Sequence, residues 1–297
     1  MRVASDLAGL HWRVVDDLVR LALTEDAPWG DLTSETLIPA SARISAELVA
    51  REDGVLCGAQ LFSAAMLQSD AGNRVEFLVA DGAVFQRGQT LATIVGSARS
   101  VLTAERVALN FIQRLSGIAT MTSKYVAAVA GTKARIVDTR KTTPGLRIIE
   151  RYAVRCGGGL NHRFSLSDAV MVKDNHLAVV TQNGARDLTE ALREVRQKLS
   201  HTAHLEVEVD RLNQIAAVLA ADVDTIMLDN FNLDDLRAGV DQIAGRALVE
   251  ASGTVRLETV AAIAGTGVDI ISVGALTHSA RSLDLGLDVA IETGTRR

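Results

Sequence analysis

The chain reads IVDTRKTTPG at residues 136–145, YAVRCGGGLNHR at residues 152–163 and DAVMVKDNH at residues 168–176. From Lys133 to Lys173 there are nine Lys or Arg residues and three acids, a net charge of +6 in a chain whose net charge is −5. An acidic protein that gathers its cations beside short apolar runs and glycines is typical of one that binds a small, highly charged anion. Arg147, Arg151 and Arg155 stand at helical spacing, so a solvated helix face explains these three equally well.

The bulk composition restricts the class of protein. A length of 297 residues fits two modest domains or one large α/β barrel, and 48% hydrophobic residues with 3% aromatics predict an aliphatic core. A negative net charge, without a basic stripe interleaved with aromatics, argues against nucleic acid as a partner. No apolar run reaches the ~18 residues that span a bilayer, and the N-terminus lacks the apolar core of a signal peptide, so we expect a cytoplasmic protein and no membrane. Cys57 and Cys156 fit no CxxC spacing, which disfavours a disulfide framework or a zinc site.

Short apolar runs recur after Gly131 and predict the strands of a parallel sheet. They lie at residues 134–137, 169–172, 205–209, 225–228, 247–250 and 268–273. Helical stretches separate most of them, at residues 186–199, 212–220, 233–243 and 255–264. The last two have plausible caps in Asn232 and Thr254. This alternation is typical of successive βα units. Six strands are too few for an eight-stranded barrel, so we expect an incomplete barrel with another element closing the gap.

In the first hundred residues the apolar pattern predicts short elements. Two helical runs and three strand-like runs predict a small α+β module there: residues 13–24, 59–68, 46–50, 75–79 and 90–95.

Thr103 predicts the cap of a helix that begins at Ala104, with an interruption at Gly117 and a second helical run over residues 120–130. This prediction places Arg106 in a first helical turn, where the macrodipole disfavours a cation. A nearby anion and an ordinary carboxylate partner explain Arg106 equally well.

The carboxyl ends of the strands carry the chemistry in a (β/α) barrel, and charged residues follow most of the predicted strands. Four cations come at or near these ends: Arg140, Lys141, Arg163 and Lys173. Arginine suits bidentate recognition of carboxylates or phosphates, whereas lysine serves as a point charge.

Two carboxylates, Glu208 and Asp229, project from later strand ends. Glu206 shares a strand face with Glu208, so at least one of these two must be paired or bind a metal if that face points inward. A single such acid is usually a structural ion pair. Two acids beside four cations favour a Mg²⁺ or ribose-hydroxyl site within a polyanion pocket.

Two glycine-containing segments are candidate phosphate cradles. Ser252-Gly253-Thr254 and Gly274-Ala275 follow late strands, where backbone N–H groups and a helix N-terminus favour an anion, although Ser-Gly-Thr is also an ordinary helix start. His162 follows a glycine run and is better placed to contact a ligand than His176, for which we expect a structural role. His278 could contact a phosphate or only fix a turn.

Seven ordered motifs extend over nearly the whole chain: DTRKTTPG from Asp138, GGGLNHR from Gly157, KDNH from Lys173, EVEVD from Glu206, MLDN from Met227, EASG from Glu250 and SVGALTH from Ser272. This pattern closely resembles the quinolinate phosphoribosyltransferase (decarboxylating) family, whose members are also called nicotinate-nucleotide pyrophosphorylases. Glu25-Asp26 with Gly30-Asp31-Leu32-Thr33, and the segment from Glu105 to Asn110, add to the resemblance. Thr254 is a departure, because the family commonly has a second glycine or an asparagine there.

The resemblance implies an α/β protein. An N-terminal α+β open-faced sandwich would take residues 1–116, completed by about 277–297, and an incomplete (β/α) barrel with the active site would take residues 117–276. A homodimer with active sites shared at the subunit interface is also implied. The implied reaction takes quinolinate and phosphoribosyl pyrophosphate to nicotinate mononucleotide, pyrophosphate and CO₂, with Mg²⁺, in NAD biosynthesis.

The matching motifs imply a role for each site residue. Lys141, Glu208 and Asp229 would be catalytic, with Lys141 facing the phosphoribosyl and pyrophosphate groups. Glu208 and Asp229 would hold the ribose hydroxyls and Mg²⁺, directly or through water or substrate. The substrate-binding set would be Arg106 from the neighbouring subunit, Thr139, Arg140, Lys141, His162, Arg163, Lys173, Glu208, Asp229, Ser252, Gly253, Thr254, Val273, Gly274, Ala275 and His278.

Two rival functions stay open at this stage. A related phosphoribosyltransferase that uses nicotinate would present one ring carboxylate to this many cations and leave an excess of positive charge. A non-catalytic sensor of a phosphorylated metabolite would explain the cations and the glycines but not the paired acids, and it would bind without turnover.

Overall fold

The computed structural model describes residues 8–181 and 184–291, and the chain divides into two compact units. One unit takes in the chain up to Ser123, the segment Ile148–Gly158 and the chain from Ala280 onward. The other takes in Lys124–Arg147 and Gly159–Ser279. We refer to them as the first and the second unit.

In chain order the strands are β1 (Arg43–Ala50), β2 (Gly54–Val55), β3 (Arg74–Phe77), β4 (Val84–Phe85), β5 (Thr90–Ser97), β6 (Arg135–Val137), β7 (Val170–Val172), β8 (Leu205–Val209), β9 (Thr225–Asp229), β10 (Leu248–Ser252), β11 (Ile270–Ser272) and β12 (Leu285–Ile291). The helices are α1 (Trp12–Asp26), α2 (Leu32–Leu37), α3 (Ala59–Ser69), α4 (Ala98–Ala128), α5 (Arg147–Cys156), α6 (Asp174–Val180), α7 (Leu188–Lys198), α8 (Leu212–Leu219), α9 (Leu233–Ile243), α10 (Leu257–Ala264) and α11 (Ala275–His278).

The first unit contains an antiparallel sheet in the order β12-β1-β5-β3. Alternate residues of β1, such as Ala46 and Leu48, are buried, while Glu47 between them is exposed. This alternation is that of a sheet with one covered face. Helices α1 and α3 pack on each other, and α3 contacts β3. Strand β12 pairs with β1 from Leu285 opposite Ala50 onward, so residues far apart in sequence share this sheet.

The second unit contains a parallel sheet of six strands in the order β6-β11-β10-β9-β8-β7. These are the six strands that the apolar runs predicted, and the barrel is not closed, as expected from their number. One face of the sheet meets the helices: the Leu228 side chain lies against Gly239 of α9, where a Cβ atom would come within 2.8 Å of it. Residues of the opposite parity on the strands therefore turn away from the helices, and they include Glu206, Met227 and Glu250.

Helix α4 corrects the prediction for residues 103–130. It runs without a break from Ala98 to Ala128. Thr103 is therefore not its cap, and its hydroxyl donates to the Arg99 carbonyl one turn earlier, at 2.9 Å. Gly117 does not interrupt the helix either. A Cβ atom there would lie 1.9 Å from the Arg281 carbonyl oxygen, so glycine is required by close packing. Arg106 lies in the third turn rather than the first, so the argument from the macrodipole does not apply to it.

The two predicted caps in the second unit have different outcomes. Asn232 caps α9, and its side chain accepts the N–H groups of Asp234 and Asp235. The prediction for Thr254 is wrong, because α10 begins at Leu257 after an N-cap at Arg256. Within the described residues, no helix is both long and apolar enough to cross a membrane.

The two cysteines are packed in the core of the first unit. Cys57 and Cys156 are buried free thiols, and their sulfur atoms lie within 4.8 Å of each other and of an Asp81 carboxylate oxygen. Asp81 already accepts two backbone N–H groups at the start of α3, both at 3.1 Å, and the Tyr152 hydroxyl at 2.9 Å. Burial raises the pKa of the Cys57 thiol well above its usual range, so this thiol stays protonated at neutral pH.

Candidate active site

A cavity of about 520 Å³ lies at the carboxyl ends of the strands of the second unit. Residues predicted from the sequence make up most of its lining: Thr139, Arg140, Lys141, His162, Arg163, Lys173, Glu208, Asp229, Ser252, Gly253 and Thr254. The rest of the lining was not predicted: Met171, Met227, Asn230, Glu250 and Ser272. Four of these five lie inside strands, where the sequence does not tell which side chains turn toward the cavity.

Two arginines, Arg140 and Arg163, line this cavity. Burial lowers the pKa of Arg163, and the neighbouring charge of Arg140 lowers it further. The Nε atom of Arg140 is buried and has no hydrogen-bond partner within residues 8–181 and 184–291. Like charges held together with an unused donor are unfavourable alone and are stabilised by an anion between them. The cavity is therefore electrostatically prepared for an anionic ligand.

Lys173 and Glu208 form an ion pair across the ends of β7 and β8. The side chain of Glu208 is 13% exposed and that of Lys173 is 44% exposed, so the lysine can turn toward another anion more easily than the acid can move. His176 accepts the Lys173 N–H through Nδ1, at 3.0 Å, at the start of α6. This is the structural role expected of His176.

Asp229 and the segment after β10 lie close together. The Asn230 amide donates to the Asp229 carboxylate at 2.7 Å. Gly253 has a φ of +92°, and a Cβ atom on it would lie 2.1 Å from Oδ1 of Asn230. Thr254 follows with a φ of +36°, in the left-handed region that favours glycine. The structure thus explains why a glycine is common at this position in the family that the sequence resembles.

The predicted residues after β11 lie outside the cavity lining, and Gly274 among them lies beside Lys141. The Thr277 hydroxyl donates to the Lys141 carbonyl at 2.7 Å. A Cβ atom on Gly274 would come within 3.1 Å of the Lys141 side chain and 3.2 Å of Nε2 of His278. Val273 is buried, and Ala275 begins α11. Gly274 and Thr277 thus pack against Lys141 from one side.

His162 lies between two buried acids that belong to different strands. Its Nε2 is 3.2 Å from Oε2 of Glu206 and 3.3 Å from Oε2 of Glu250. Its Nδ1 accepts the backbone N–H of Arg163 at 2.7 Å. Burial lowers the pKa of His162, but the two carboxylates outweigh it and raise this pKa to about 10. The Arg163 N–H acts against the charged form, because its donation to Nδ1 requires a nitrogen without a proton. Burial raises the pKa of Glu206.

The expected pairing of Glu206 or Glu208 holds for both residues, since Glu206 is paired with His162 and Glu208 with Lys173. Arg106 belongs to α4 in the first unit.

Comparisons with known proteins agree with this geometry. The family model for the quinolinate phosphoribosyl transferase C-terminal domain matches residues 118–288, and the model for the N-terminal domain matches residues 31–116. The chain belongs to the quinolinate phosphoribosyltransferase family. Both models together match most of the chain, and the C-terminal one includes every residue that lines the cavity.

Relatives within the quinolinate phosphoribosyltransferase family are similar over nearly their full length. The nicotinate-nucleotide pyrophosphorylase [carboxylating] of Mycobacterium leprae is 46% identical over 95% of this chain and 100% of that protein. Among solved structures, NadC from Streptococcus pyogenes has a TM-score of 0.91 and 40% identity, over 96% of this chain and 99% of that one. The nicotinate-nucleotide pyrophosphorylase from Francisella tularensis has a TM-score of 0.88 and 36% identity, over 97% and 100%.

Proposed function

We propose that this chain transfers the phosphoribosyl group of phosphoribosyl pyrophosphate to quinolinate and decarboxylates the product. The products are nicotinate mononucleotide, pyrophosphate and CO₂, in NAD biosynthesis. Family membership supports the reaction type. The observation that carries the choice of substrate is that two arginines, Arg140 and Arg163, line the same cavity. A dicarboxylate brings two negative charges to these two cationic groups, whereas a monocarboxylate brings only one.

Quinolinate would be bound by the cations at the ends of β6 and β7. Arg140 and Arg163 offer planar donor pairs, and Lys173 offers a point charge after leaving its ion pair with Glu208. Arg106 of the neighbouring subunit would complete this set. Met171 and Met227 add apolar surface to the lining, which suits the flat face of a pyridine ring.

Phosphoribosyl pyrophosphate would be bound on the opposite side of the cavity. Lys141 would face its phosphate groups, and Ser252, Gly253 and Thr254 offer polar atoms and backbone N–H groups. Thr139 lies beside Lys141 and accepts its backbone N–H at 3.1 Å, which holds the turn that presents the lysine. Gly274, which lies beside the Lys141 side chain, would shape this side of the cavity from outside its lining.

Two carboxylates of the cavity, Glu208 and Asp229, fit a hard divalent cation. Their oxygens are of the kind that Mg²⁺ prefers, and Mg²⁺ usually keeps waters and substrate oxygens as its other ligands. When bound, the cation would neutralise charge on the pyrophosphate. Glu208 and Asp229 would also hold the ribose hydroxyls, and their negative charge stabilises an oxocarbenium-like ribose as the pyrophosphate leaves.

The loss of CO₂ itself needs no general acid from the protein. Ribosylation of the ring nitrogen makes the ring cationic, and this positive charge stabilises the electron pair that stays on the adjacent ring carbon when its carboxylate leaves as CO₂. That carbon then takes up one proton, which water supplies. The residues around the ring therefore act by orienting it and by balancing its charges. This is consistent with a cavity that has many cations and, among the described residues that line it, no nucleophile paired with a base.

A homodimer with shared active sites and a cytoplasmic location belong to this proposal. The resemblance to the family supports the shared site, since the corresponding arginine of the family reaches the neighbouring barrel. The free thiols Cys57 and Cys156 support a reducing compartment.

The test is a comparison of two acceptors. Protein, phosphoribosyl pyrophosphate and Mg²⁺ are incubated with quinolinate or with nicotinate, and nicotinate mononucleotide is quantified over time. We expect turnover with quinolinate and at least about a hundredfold lower kcat/KM with nicotinate, because one carboxylate is lost from a site with two guanidinium groups. Equal or better turnover with nicotinate would favour the rival phosphoribosyltransferase, and binding without turnover of either would favour a sensor.

A further inference from the structure

We propose that Glu206 and Glu250 are positioning residues for the quinolinate site: they hold the His162 ring, and the ring holds the main chain at Arg163, whose guanidinium binds a substrate carboxylate. The identity of the substrate rests on the proposed function. The positioning itself rests on the contacts of His162.

Burial of the Glu206 and Glu250 carboxylates costs free energy, and the two acids act on the site through His162. The side chains of Glu206 and Glu250 are 4% and 2% exposed, and a buried carboxylate is unfavourable unless it is paired and hydrogen-bonded. Each turns Oε2 toward His162, while Oε1 of each is buried without a hydrogen-bond partner in the described part of the chain. Apart from each other, His162 is the hydrogen-bonding partner that the structure gives them.

The ring of His162 is held on its other side as well. Nδ1 accepts the Arg163 N–H at 2.7 Å, and the backbone N–H of His162 donates to the carboxylate of Asp138 at 2.8 Å. Asp138 is fully buried directly after β6. Both ring nitrogens thus have partners within the protein. His162 therefore contributes to the site through Arg163, besides lining the cavity itself.

Arg163 is the residue that benefits from this arrangement. Its Nη1 donates to the Ala169 carbonyl at 2.9 Å, just before β7. With its main chain tied to His162 and one nitrogen tied to Ala169, the guanidinium is held in the cavity beside Arg140 despite their repulsion. A guanidinium already in place loses less conformational entropy when it binds a carboxylate.

A metal ion at this cluster is a competing explanation that the hydrogen bonds disfavour. Nε2 of His162 and one oxygen each of Glu206 and Glu250 lie within 4.8 Å of one another, close enough for shared ligation. A metal-bound histidine, however, usually donates its second ring N–H to an acceptor. Here Nδ1 faces a donor, the Arg163 N–H, so a neutral ring carries its proton on Nε2, and a charged ring, which the raised pKa favours, carries a proton there as well. That nitrogen then donates to the carboxylates and has no lone pair for a metal.

Two variants of Glu250 distinguish loss of the hydrogen-bond acceptor from loss of the negative charge. Glu250→Met keeps approximate volume and removes the acceptor, so KM for quinolinate should rise on the order of tenfold. KM for phosphoribosyl pyrophosphate should stay within about twofold, since the Glu250 carboxylate contacts His162 rather than the groups assigned to that substrate. Glu250→Gln keeps an acceptor oxygen and should restore KM for quinolinate to within about threefold of the parent value.

Glu150→Met is the matched control. Glu150 is also fully buried, and it pairs with Arg114 at 2.9 Å within the first unit. This variant should lower Tm, as Glu250→Met does, without changing KM for quinolinate. A purely structural role for Glu250 predicts that the two variants behave alike.

Three outcomes would overturn the proposal. One is a Glu250→Met protein whose two KM values are unchanged or rise together. The second applies if that variant does not fold. The double variant Glu206→Gln, Glu250→Gln keeps the shape and the acceptor oxygens, so a tenfold or larger rise of its KM for quinolinate would show that charge rather than hydrogen bonding matters. The third is a parent protein without turnover of quinolinate, which would refute the proposed function itself and is recognised before any variant is made.

Discussion

Single residues of the cavity balance one another when no substrate is bound. Lys173 is neutralised by Glu208, whereas Arg140 keeps a buried Nε without a hydrogen-bond partner among the described residues. Binding of quinolinate by Lys173 would therefore break one ion pair and form another, while binding by Arg140 only gains contacts. Breaking a partly buried pair has a cost that offsets part of the gain. The two kinds of cation should thus differ when each is removed.

We expect Lys173→Ala and Lys141→Ala to fail in different ways. Removing a charge from a partly desolvated anion site should cost about 2–5 kcal/mol. Lys173→Ala should mainly raise KM for quinolinate, because its strand end faces that ligand and because Glu208 is left without its partner. Lys141→Ala should mainly lower kcat with phosphoribosyl pyrophosphate. Steady-state kinetics with each substrate varied in turn measures both effects, and equal losses for both substrates in both variants would contradict this division.

Thr254 is strained, and its replacement by glycine should relieve the strain. A β-branched residue at a φ of +36° is unfavourable by about 1 kcal/mol relative to glycine. Thr254→Gly should therefore raise the free energy of unfolding by up to about 1 kcal/mol, less the entropy that glycine loses on folding. Thermal melting measures the change, with Gly88→Ala as a control that adds a side chain at a φ of +83° with open space around it and should destabilise. A Thr254→Gly protein that melts lower than the parent would show that the threonine side chain makes a contact worth more than the strain.

At the scale of elements, local patterns were reliable where a segment's neighbours are close in sequence. The six strands of the second unit were predicted because each is a short apolar run between helices. Strand β12 was not predicted from its own pattern, because its partner β1 lies more than two hundred residues earlier. Helix α4 was predicted with a break at Gly117, although that glycine is explained by the approach of the Arg281 carbonyl, which no local pattern reveals.

The prediction of site residues from the sequence was limited in the same way. Arg140, Lys141 and Lys173 were found because they follow strands, where charge stands out. Glu250 and Met227 line the cavity from within strands, and an apolar run does not tell which of its faces turns inward. The pairing of His162 with two acids joins three separate parts of the chain and could not be predicted from spacing.

The cap of α2 gives an element-scale prediction with a pH dependence. The Asp31 carboxylate accepts hydrogen bonds from the Ser34 hydroxyl and from the backbone N–H groups of Thr33 and Ser34. These contacts, with the Ser34 hydroxyl first, lower the pKa of Asp31 from 3.8. Asp31→Ala should cost about 1 kcal/mol of stability at neutral pH. A group whose pKa is lowered by folding stabilises the folded protein fully at pH values above its unfolded-state pKa. This contribution is lost as the pH falls through the folded-state pKa.

The difference in Tm between parent and Asp31→Ala should accordingly be full at pH 7 and shrink below about pH 4. Melting curves across this range measure it. Asp241→Ala, which removes an exposed acid from α9, is the control and should change the stability by less than about 0.5 kcal/mol at either pH. A difference for Asp31→Ala that stays constant down to pH 3 would show that the ionised carboxylate is not what stabilises α2.

At the scale of the whole molecule, the proposed shared site makes a prediction about assembly. Arg106→Ala and Lys173→Ala proteins should each have little activity when quinolinate is held near the KM of the parent, and mixing them under conditions that allow dimers to exchange should restore activity at that concentration. In a mixed dimer one site carries both lesions, while the other combines an intact Lys173 with the partner's intact arginine. Random exchange should restore about a quarter of the parent activity, because half of the dimers are mixed and each has one good site. Exchange demonstrated by mass labelling without any return of activity would show that Arg106 acts within its own chain.

The central claim is that one reaction couples ribosylation of quinolinate to the loss of its carboxylate. The most direct measurement is the stoichiometry of a single mixture of protein, carboxyl-labelled quinolinate, phosphoribosyl pyrophosphate and Mg²⁺, in which CO₂, pyrophosphate and nicotinate mononucleotide are all quantified. We expect the three products in equal amounts, and none of them when phosphoribosyl pyrophosphate or Mg²⁺ is left out. Release of CO₂ without phosphoribosyl pyrophosphate, or of pyrophosphate without CO₂, would contradict this account.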